Sequence, residues 1–203
     1  MPDIRPALTP DDLLAVYRFR YSVYVEEMGR AQKYADHNAK IITDPLDVPA
    51  AHVLAAWEAG EVVGTVRYNF LRSSDIGEYA EQYAIAGLAP DLLAATSITT
   101  RLMVHPRHRR TTLATRLACE AYRRALDCGT LLDFIDCNAH LVEYFAGLGY
   151  RPHRTDFVHP EYGAVTVMRL DLTDRPHLES VRSPFRRIHR TWEESRAAPT
   201  TGE

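Results

Sequence analysis

The sequence predicts a single mixed α/β domain. Three observations lead there. Helix-start and helix-stop signals bracket segments of amphipathic spacing, and short runs of β-branched residues lie between them. The length of 203 residues suits one domain with a substantial core. Apolar residues make up 46% of the chain, too many for overall disorder.

The elements follow in order. Thr9-Pro10-Asp11-Asp12 supplies a cap, a proline and two acids, so a helix starts there and runs to about Glu27, before Gly29. Residues 30–50, with Pro45 and Pro49, read as a loop. Residues 52–58 and 62–70 are apolar runs joined by Ala59-Gly60-Glu61, a hairpin signal. Residues 71–95 read as irregular and partly helical. Residues 97–104 are rich in β-branched types and predict a central strand that Pro106 ends. From 111 to 127, Leu113, Leu117, Ala121 and Leu126 recur at helical spacing, and Gly129 closes that helix. Residues 131–135 form a short buried strand, 139–148 a helix stopped by Gly149, and 150–157 with 164–171 a closing strand pair. This order of helix, hairpin, strand, helix, strand, helix, strands is mixed α/β. The division expected is a folded domain over 1–172 and a polar, basic tail over 173–203.

Charge and cysteine usage exclude several classes. A net charge of −3 opposes bulk attraction to nucleic acid, although basic residues cluster at 107–110 and again from 182 to 190. Cys119, Cys128 and Cys137 have no CxxC spacing, so neither a disulfide framework nor a metal site is expected. No signal-peptide pattern opens the chain and no stretch of eighteen apolar residues is present, so no membrane span is expected and the protein reads as cytoplasmic.

The segment Leu102-Met103-Val104-His105-Pro106-Arg107-His108-Arg109-Arg110-Thr111-Thr112-Leu113-Ala114-Thr115 carries the most chemical information. A strand enters a basic loop that opens a helix. Free N–H groups at a helix start bind anions, and arginines just upstream add charge-assisted bonds. The alternative is a solvated basic turn before an ordinary helix. The segment resembles the acyl-CoA-binding motif of Gcn5-related N-acetyltransferases (GNAT), Gln/Arg-x-x-Gly-x-Gly/Ala, with Arg109 at the first position and Ala114 at the last. Thr112 stands where the family has its middle glycine, and its Cβ narrows the approach of backbone to phosphate. A second segment, from Asn138 to Tyr150, resembles the family's asparagine, helix and Leu-Gly-Phe ending. Phe145 occupies the place of a tyrosine that protonates the departing thiolate, and Tyr144 lies about a quarter turn away. A thiolate leaves well without help.

The first half narrows the resemblance. Residues 18–29, then Asp44-Pro45-Leu46-Asp47, Gly64-Thr65-Val66-Arg67 and Thr100-Arg101-Leu102-Met103-Val104, resemble N-acyl amino acid synthases and acyl-homoserine lactone synthases. The resemblance implies a mixed, mostly antiparallel sheet with helices on both faces and two central strands that splay to admit pantetheine. It implies an N-acyltransferase without a covalently bound cofactor or a metal. The donor is an acyl-phosphopantetheine carried by acyl carrier protein, or acyl-CoA, and the acceptor is a small amine such as an amino acid. A charged cluster of Arg20, Asp44, Asp47, Arg67 and Arg101 is carried over by position; such charges on apolar strands need partners. A purely structural cluster is the alternative. Leu102, Met103 and Val104 would offer backbone to pantetheine. Arg109, Arg110, Thr111, Thr112, Leu113, Ala114 and Thr115, with Asn138 and Phe145, would line the donor site.

One departure matters for the chemistry. The lactone synthases carry a glutamate three residues before the strand arginine, and here that residue is Ile98. His140 and Asp136, at the end of the next strand, are the candidates to take the amine's proton, with a water chain as the alternative. Rival functions are a CoA-dependent N-acetyltransferase, a carrier-protein-dependent enzyme tailoring a natural product, and a non-catalytic acyl-thioester-binding protein.

Overall fold

The expected alternation of strands and helices is realised in a computed structural model, which describes residues 1–159 and 161–197. Helix α1 (Pro10–Tyr21) starts where the cap signal places it: the Thr9 hydroxyl accepts the Asp12 N–H at 3.1 Å. The helix continues to Glu27 as a wider π-helical segment, Ser22–Glu27. Strands β1 (Asp3–Pro6), β4 (His52–Glu58), β5 (Glu61–Phe70), β6 (Thr96–Val104), β7 (Leu132–Asn138), β8 (Arg151–His159) and β9 (Gly163–Asp171) make one sheet in the order β1-β4-β5-β6-β7-β9-β8. All pairings are antiparallel except β6 with β7. The sheet is thus mostly antiparallel with one parallel joint at its centre, as expected. The N-terminal strand β1 carries no strong strand signal and is recruited by pairing with β4.

Within the 30–50 segment, two short strands, β2 (Ala35–Asp36) and β3 (Ile41–Ile42), pair with each other, so the expected loop is a small hairpin followed by a turn. The 71–95 connection holds two short helices, α2 (Tyr79–Gln82) and α3 (Pro90–Ala94). Helices α4 (Leu113–Asp127) and α5 (Val142–Leu148) follow the strands that precede them, and a 3₁₀ turn at Ala139–Leu141 leads into α5.

Helix α4 buries Leu113, Leu117, Ala121 and Leu126, the residues its spacing marks, against one face of the sheet. Gly64 allows this contact: a Cβ there would meet Leu117 Cδ1 at 3.0 Å and the Met103 carbonyl oxygen at 3.3 Å. The opposite face packs Leu46, Tyr83, Ile85, Ile98, Phe134 and Val167 into a separate core that anchors the 44–47 turn and α2.

The stretch after Thr173 is more ordered than its polarity suggests. Helices α6 (Arg175–Ser180) and α7 (Phe185–Ala197) fold back on the domain, with Leu178 and Phe185 buried and the Phe185 ring stacked on Tyr122 at 4.3 Å. Positions 198–203 of the expected tail lie outside the described residues. Among the described residues, no helix is long and apolar enough to cross a membrane.

Candidate active site

The site begins where the central parallel joint opens. Strands β6 and β7 pair at Thr96, Ser97 and Ile98 and no further. The closed end is tied by the buried Asp133 carboxylate, which accepts the hydroxyls of Ser97, Thr99 and Tyr150 at 2.5, 3.0 and 2.6 Å. On its other edge, β6 bulges against β5, since Thr100 pairs with Arg67 but Met103 with Thr65. Arg101 lies in the bulge with φ +58°, a strained value for a residue with a Cβ. Bulge and parting together leave a cavity of about 640 Å³ lined by residues 99–104 of β6 and residues 135–138 of β7. The His105 N–H bonds the Val63 carbonyl at 2.9 Å, so by strand alternation Val104 turns its own N–H and C=O toward the gap.

One end of the cavity is the basic loop. Arg109, Arg110, Thr111, Ala114 and Thr115 line it; Thr112 and Leu113 do not, and Leu113 is buried in the core beneath α4. Thr111 caps the helix, its hydroxyl accepting the Leu113 N–H at 3.2 Å. Thr112 has φ −79°, so the missing glycine is not needed for torsion, and only the Cβ distinguishes it. Arg109 is held by Glu27 through two bonds of 2.6 and 2.7 Å, and Arg107 pairs with Glu58 at 2.9 Å. Arg110, at φ +66°, has no carboxylate partner among the described residues.

Elsewhere on the wall stands Arg101, the one member of the charged cluster that lines the cavity, and the structure brings all five cluster residues together behind it. Arg67 binds Asp44 with two nitrogens, at 2.6 and 3.1 Å, and reaches Asp47 at 2.9 Å. Arg20 binds both oxygens of Asp47 at 2.9 and 2.8 Å. Arg101 binds Asp44 at 2.6 Å and the Tyr162 hydroxyl oxygen at 3.0 Å. The Arg20 and Arg67 side chains are fully buried. Burial pushes the Asp44 carboxyl up, but Arg67 and Arg101 outweigh it and hold it well below the usual carboxylate range. Three guanidinium groups share two carboxylates, so the cluster carries one excess positive charge. Among the described residues, Nε and Nη2 of Arg20 find no partner.

Of the other residues singled out in the sequence, Ile98 does not reach the cavity: it is fully buried and faces the second core. Asp136 lines the cavity, and its Oδ1 accepts the Tyr83 hydroxyl at 2.6 Å. His140 and Asn138 also line it; Asn138 is anchored by a 3.0 Å bond to the Tyr162 carbonyl. Phe145 contributes to the wall but is largely buried.

The family profile of the N-acyl amino acid synthase FeeM matches residues 15–171. The chain belongs to that family. The synthase is accordingly an N-acyltransferase enzyme. A search among curated proteins finds no match. Several solved structures are similar in fold. A CoA-dependent acyl-homoserine lactone synthase, BjaI, solved with SAM and isopentyl-CoA, is 18% identical over 91% of this chain and 90% of its own, with a TM-score of 0.68. FeeM, an N-acyl amino acid synthase from uncultured soil microbes, is 15% identical over 93% and 99%, with a TM-score of 0.65. An acyl-CoA N-acyltransferase from Pseudomonas aeruginosa is 19% identical over 84% and 99%, with a TM-score of 0.60. The fold is that of the GNAT acyltransferases.

Spacing alone sets several wall residues of this synthase aside. Tyr144 lines the cavity beside Phe145, with its hydroxyl 3.5 Å from the Thr115 hydroxyl. Tyr162, from the β8–β9 hairpin, stacks on His159 at 4.4 Å and lies under Arg30. The contact of Tyr162 with Arg30 joins segments more than a hundred residues apart, and no local pattern announces it.

Proposed function

We propose that this synthase moves an acyl group from the pantetheine thioester of an acyl carrier protein to the amine of an amino acid, by direct attack on the thioester carbonyl. The observation that carries the reading is the cavity through the parted strands, lined by basic residues of the 109–110 loop and by Arg101, which Asp44 and Arg67 back from behind. Arg110 and the N–H groups opening α4 suit a phosphate. Val104 suits the amide groups of pantetheine, and Tyr144 suits the departing sulfur. The cluster pins the 44–47 turn against β5 and β6, which fixes the acceptor wall. His140 lies beside the path of the amine. Binding both reactants in one cavity supplies much of the rate through proximity.

The donor follows from charge and space. Arg107, Arg109 and Arg110 form a basic rim suited to an acidic carrier helix, which outweighs the place of Thr112 outside the cavity lining. The rival donor is acyl-CoA, favoured by the similarity to BjaI, whose structure is described as CoA-dependent. Measuring kcat/KM for both donors with one acyl group, at low and moderate ionic strength, decides. Faster use of the carrier protein, with a rate that falls more steeply as salt rises, is expected. Equal or better use of acyl-CoA with no difference in salt response returns the donor to CoA.

A further inference from the structure

We infer that Asp136 takes the proton of the acceptor amine, held in place for that task by the Tyr83 hydroxyl. The inference rests on the acyl-transfer reading above and adds the residue that the strand sequence leaves out. Ile98, at the position where a carboxylate is expected, is fully buried and turned into the second core, so position 98 offers the amine nothing. Asp136 is the one carboxylate among the described residues that line the cavity. It sits on the β7 side of the gap between the cavity-lining Ile135 and Cys137, two residues beyond Phe134, the strand partner of Ile98, and so just past the point where β6 and β7 part.

Its environment fits the role. Tyr83 is fully buried, and burial together with the neighbouring Asp136 charge raises its pKa well above the ordinary value, so it remains an O–H donor. One carboxylate oxygen is thereby fixed and the other is left for the substrate. His159 is another buried titratable group on this wall. Its Nδ1 accepts the Glu161 N–H at 3.0 Å, which leaves the proton of the neutral ring on Nε2. Burial lowers its pKa, so it stays neutral and has no free lone pair to take a proton. Tyr79 from α2 and Cys137 beside Asp136 are both pushed up by burial and stay protonated. The cations on the cavity wall are Arg30, Arg101, Arg109 and Arg110, which repel an ammonium and leave Asp136 as its natural seat.

The step balances as follows. An ammonium gives one proton to Asp136, which passes it to solvent. The freed lone pair forms the C–N bond, the C–S bond breaks with its electron pair on sulfur, and the second N–H proton ends on the thiolate. The products are amide, thiol and one solvent proton.

The test is the pH profile of Asp136→Asn, a nearly isosteric change. At pH 7 its kcat should fall at least about 100-fold, the usual scale for losing a positioned base. The rate should recover as pH rises toward the pKa of the acceptor's own ammonium, where the amine reaches the site already deprotonated. Binding of an unreactive thioether analogue of the donor and the melting temperature should stay as in the wild type. Tyr83→Phe should lower kcat several-fold with the donor KM unchanged, and Asp136→Glu should restore part of the rate. An Asp136→Asn enzyme as fast as wild type at pH 7, one equally impaired at every pH, or the same pH-dependent loss in His140→Asn instead, overturns the assignment. If the wild type binds the donor analogue but makes no amide with any amine, the acyl-transfer reading itself fails, and this one with it.

Discussion

Two sets of arginines flank the cavity, and burial makes them different instruments. Arg20, Arg67 and Arg101 are sunk among apolar strands and locked to Asp44 and Asp47. Arg107, Arg109 and Arg110 stand on an exposed loop, where Glu58 and Glu27 hold the first two. A buried guanidinium has lost its water and depends on its carboxylates, so removing one partner strands the others. An exposed one trades one weak partner for another at little cost. The inner set is therefore bound into the architecture of the sheet, while on the function proposed above the outer set serves to recruit the donor.

The comparison breaks most directly at Arg67. Arg67→Ala leaves two buried carboxylates short of their shared partner, and a loss of about 3–5 kcal/mol is expected from denaturant unfolding, with activity abolished. A loss under about 1 kcal/mol would mean that the inner set is no more structural than the outer. Acid should act on the same cluster. The folded Asp44 pKa lies below its unfolded value, so its stabilisation is present above the ordinary carboxylate range and disappears as pH falls toward the folded value. Unfolding free energies taken at steps from pH 6 down to pH 3 should show that decline, and a smaller one in Arg67→Ala.

Asp133 sharpens the contrast, because it is a buried acid with no cation beside it. Burial pushes its carboxyl up to about 6, against three hydrogen bonds that oppose the shift. The unfolded chain then releases this proton first as pH rises, so folding stability declines from the ordinary carboxylate range up through about 6. Asp133→Asn should accordingly be more stable than wild type at pH 7, by about 2–3 kcal/mol, with the gain shrinking below pH 5. Thermal melts of both proteins at pH 4.5 and 7 read this directly; a variant less stable at both values would show that the hydrogen bonds need the charge.

Among the outer arginines the effects should be smaller and fall on binding. Arg110→Ala should weaken donor binding by about 1.5–3 kcal/mol, the scale of one lost charge-assisted bond, while the melting temperature barely moves. Arg109→Ala should weaken it less, since Arg109 must first give up Glu27. Glu27→Gln should change stability by about 1 kcal/mol or less. Calorimetric titration of the donor analogue ranks the two arginines and thermal melts read Glu27→Gln, and an Arg109 effect exceeding that of Arg110 would reverse the order drawn from their partners.

The inner set was legible through the family resemblance, which carries all five positions over, and the need of strand charges such as Arg67 and Arg101 for partners agrees with it; all five meet. The strands and helices around the parted joint were legible too, since hydrophobic period and capping residues are local signals. The strand β1 was not, because Asp3–Pro6 becomes a strand only through β4. The partnership of Arg109 with Glu27, Tyr83 with Asp136 and Tyr162 with Arg101 spans from 53 to 82 residues of chain, and each is a consequence of the fold rather than of any pattern. Leu113 sat inside a motif by position yet belongs to the core, since α4 must bury its first apolar residue to seat itself at all.

The parting of β6 from β7 gives the molecule a built-in clock. Main-chain N–H groups of a fully paired central strand exchange with solvent deuterium only on opening of the sheet, but the Val104 amide faces the gap and lacks that protection. An acyl-pantetheine arm lying along β6 would take up this amide as a neighbouring strand does. The isotope uptake of a single peptide spanning 102–105 thus becomes a measure of how long the donor stays in place, free of any dye or coupled reaction. Amides of Ile98 and Phe134, on the closed side of the joint, supply the internal reference.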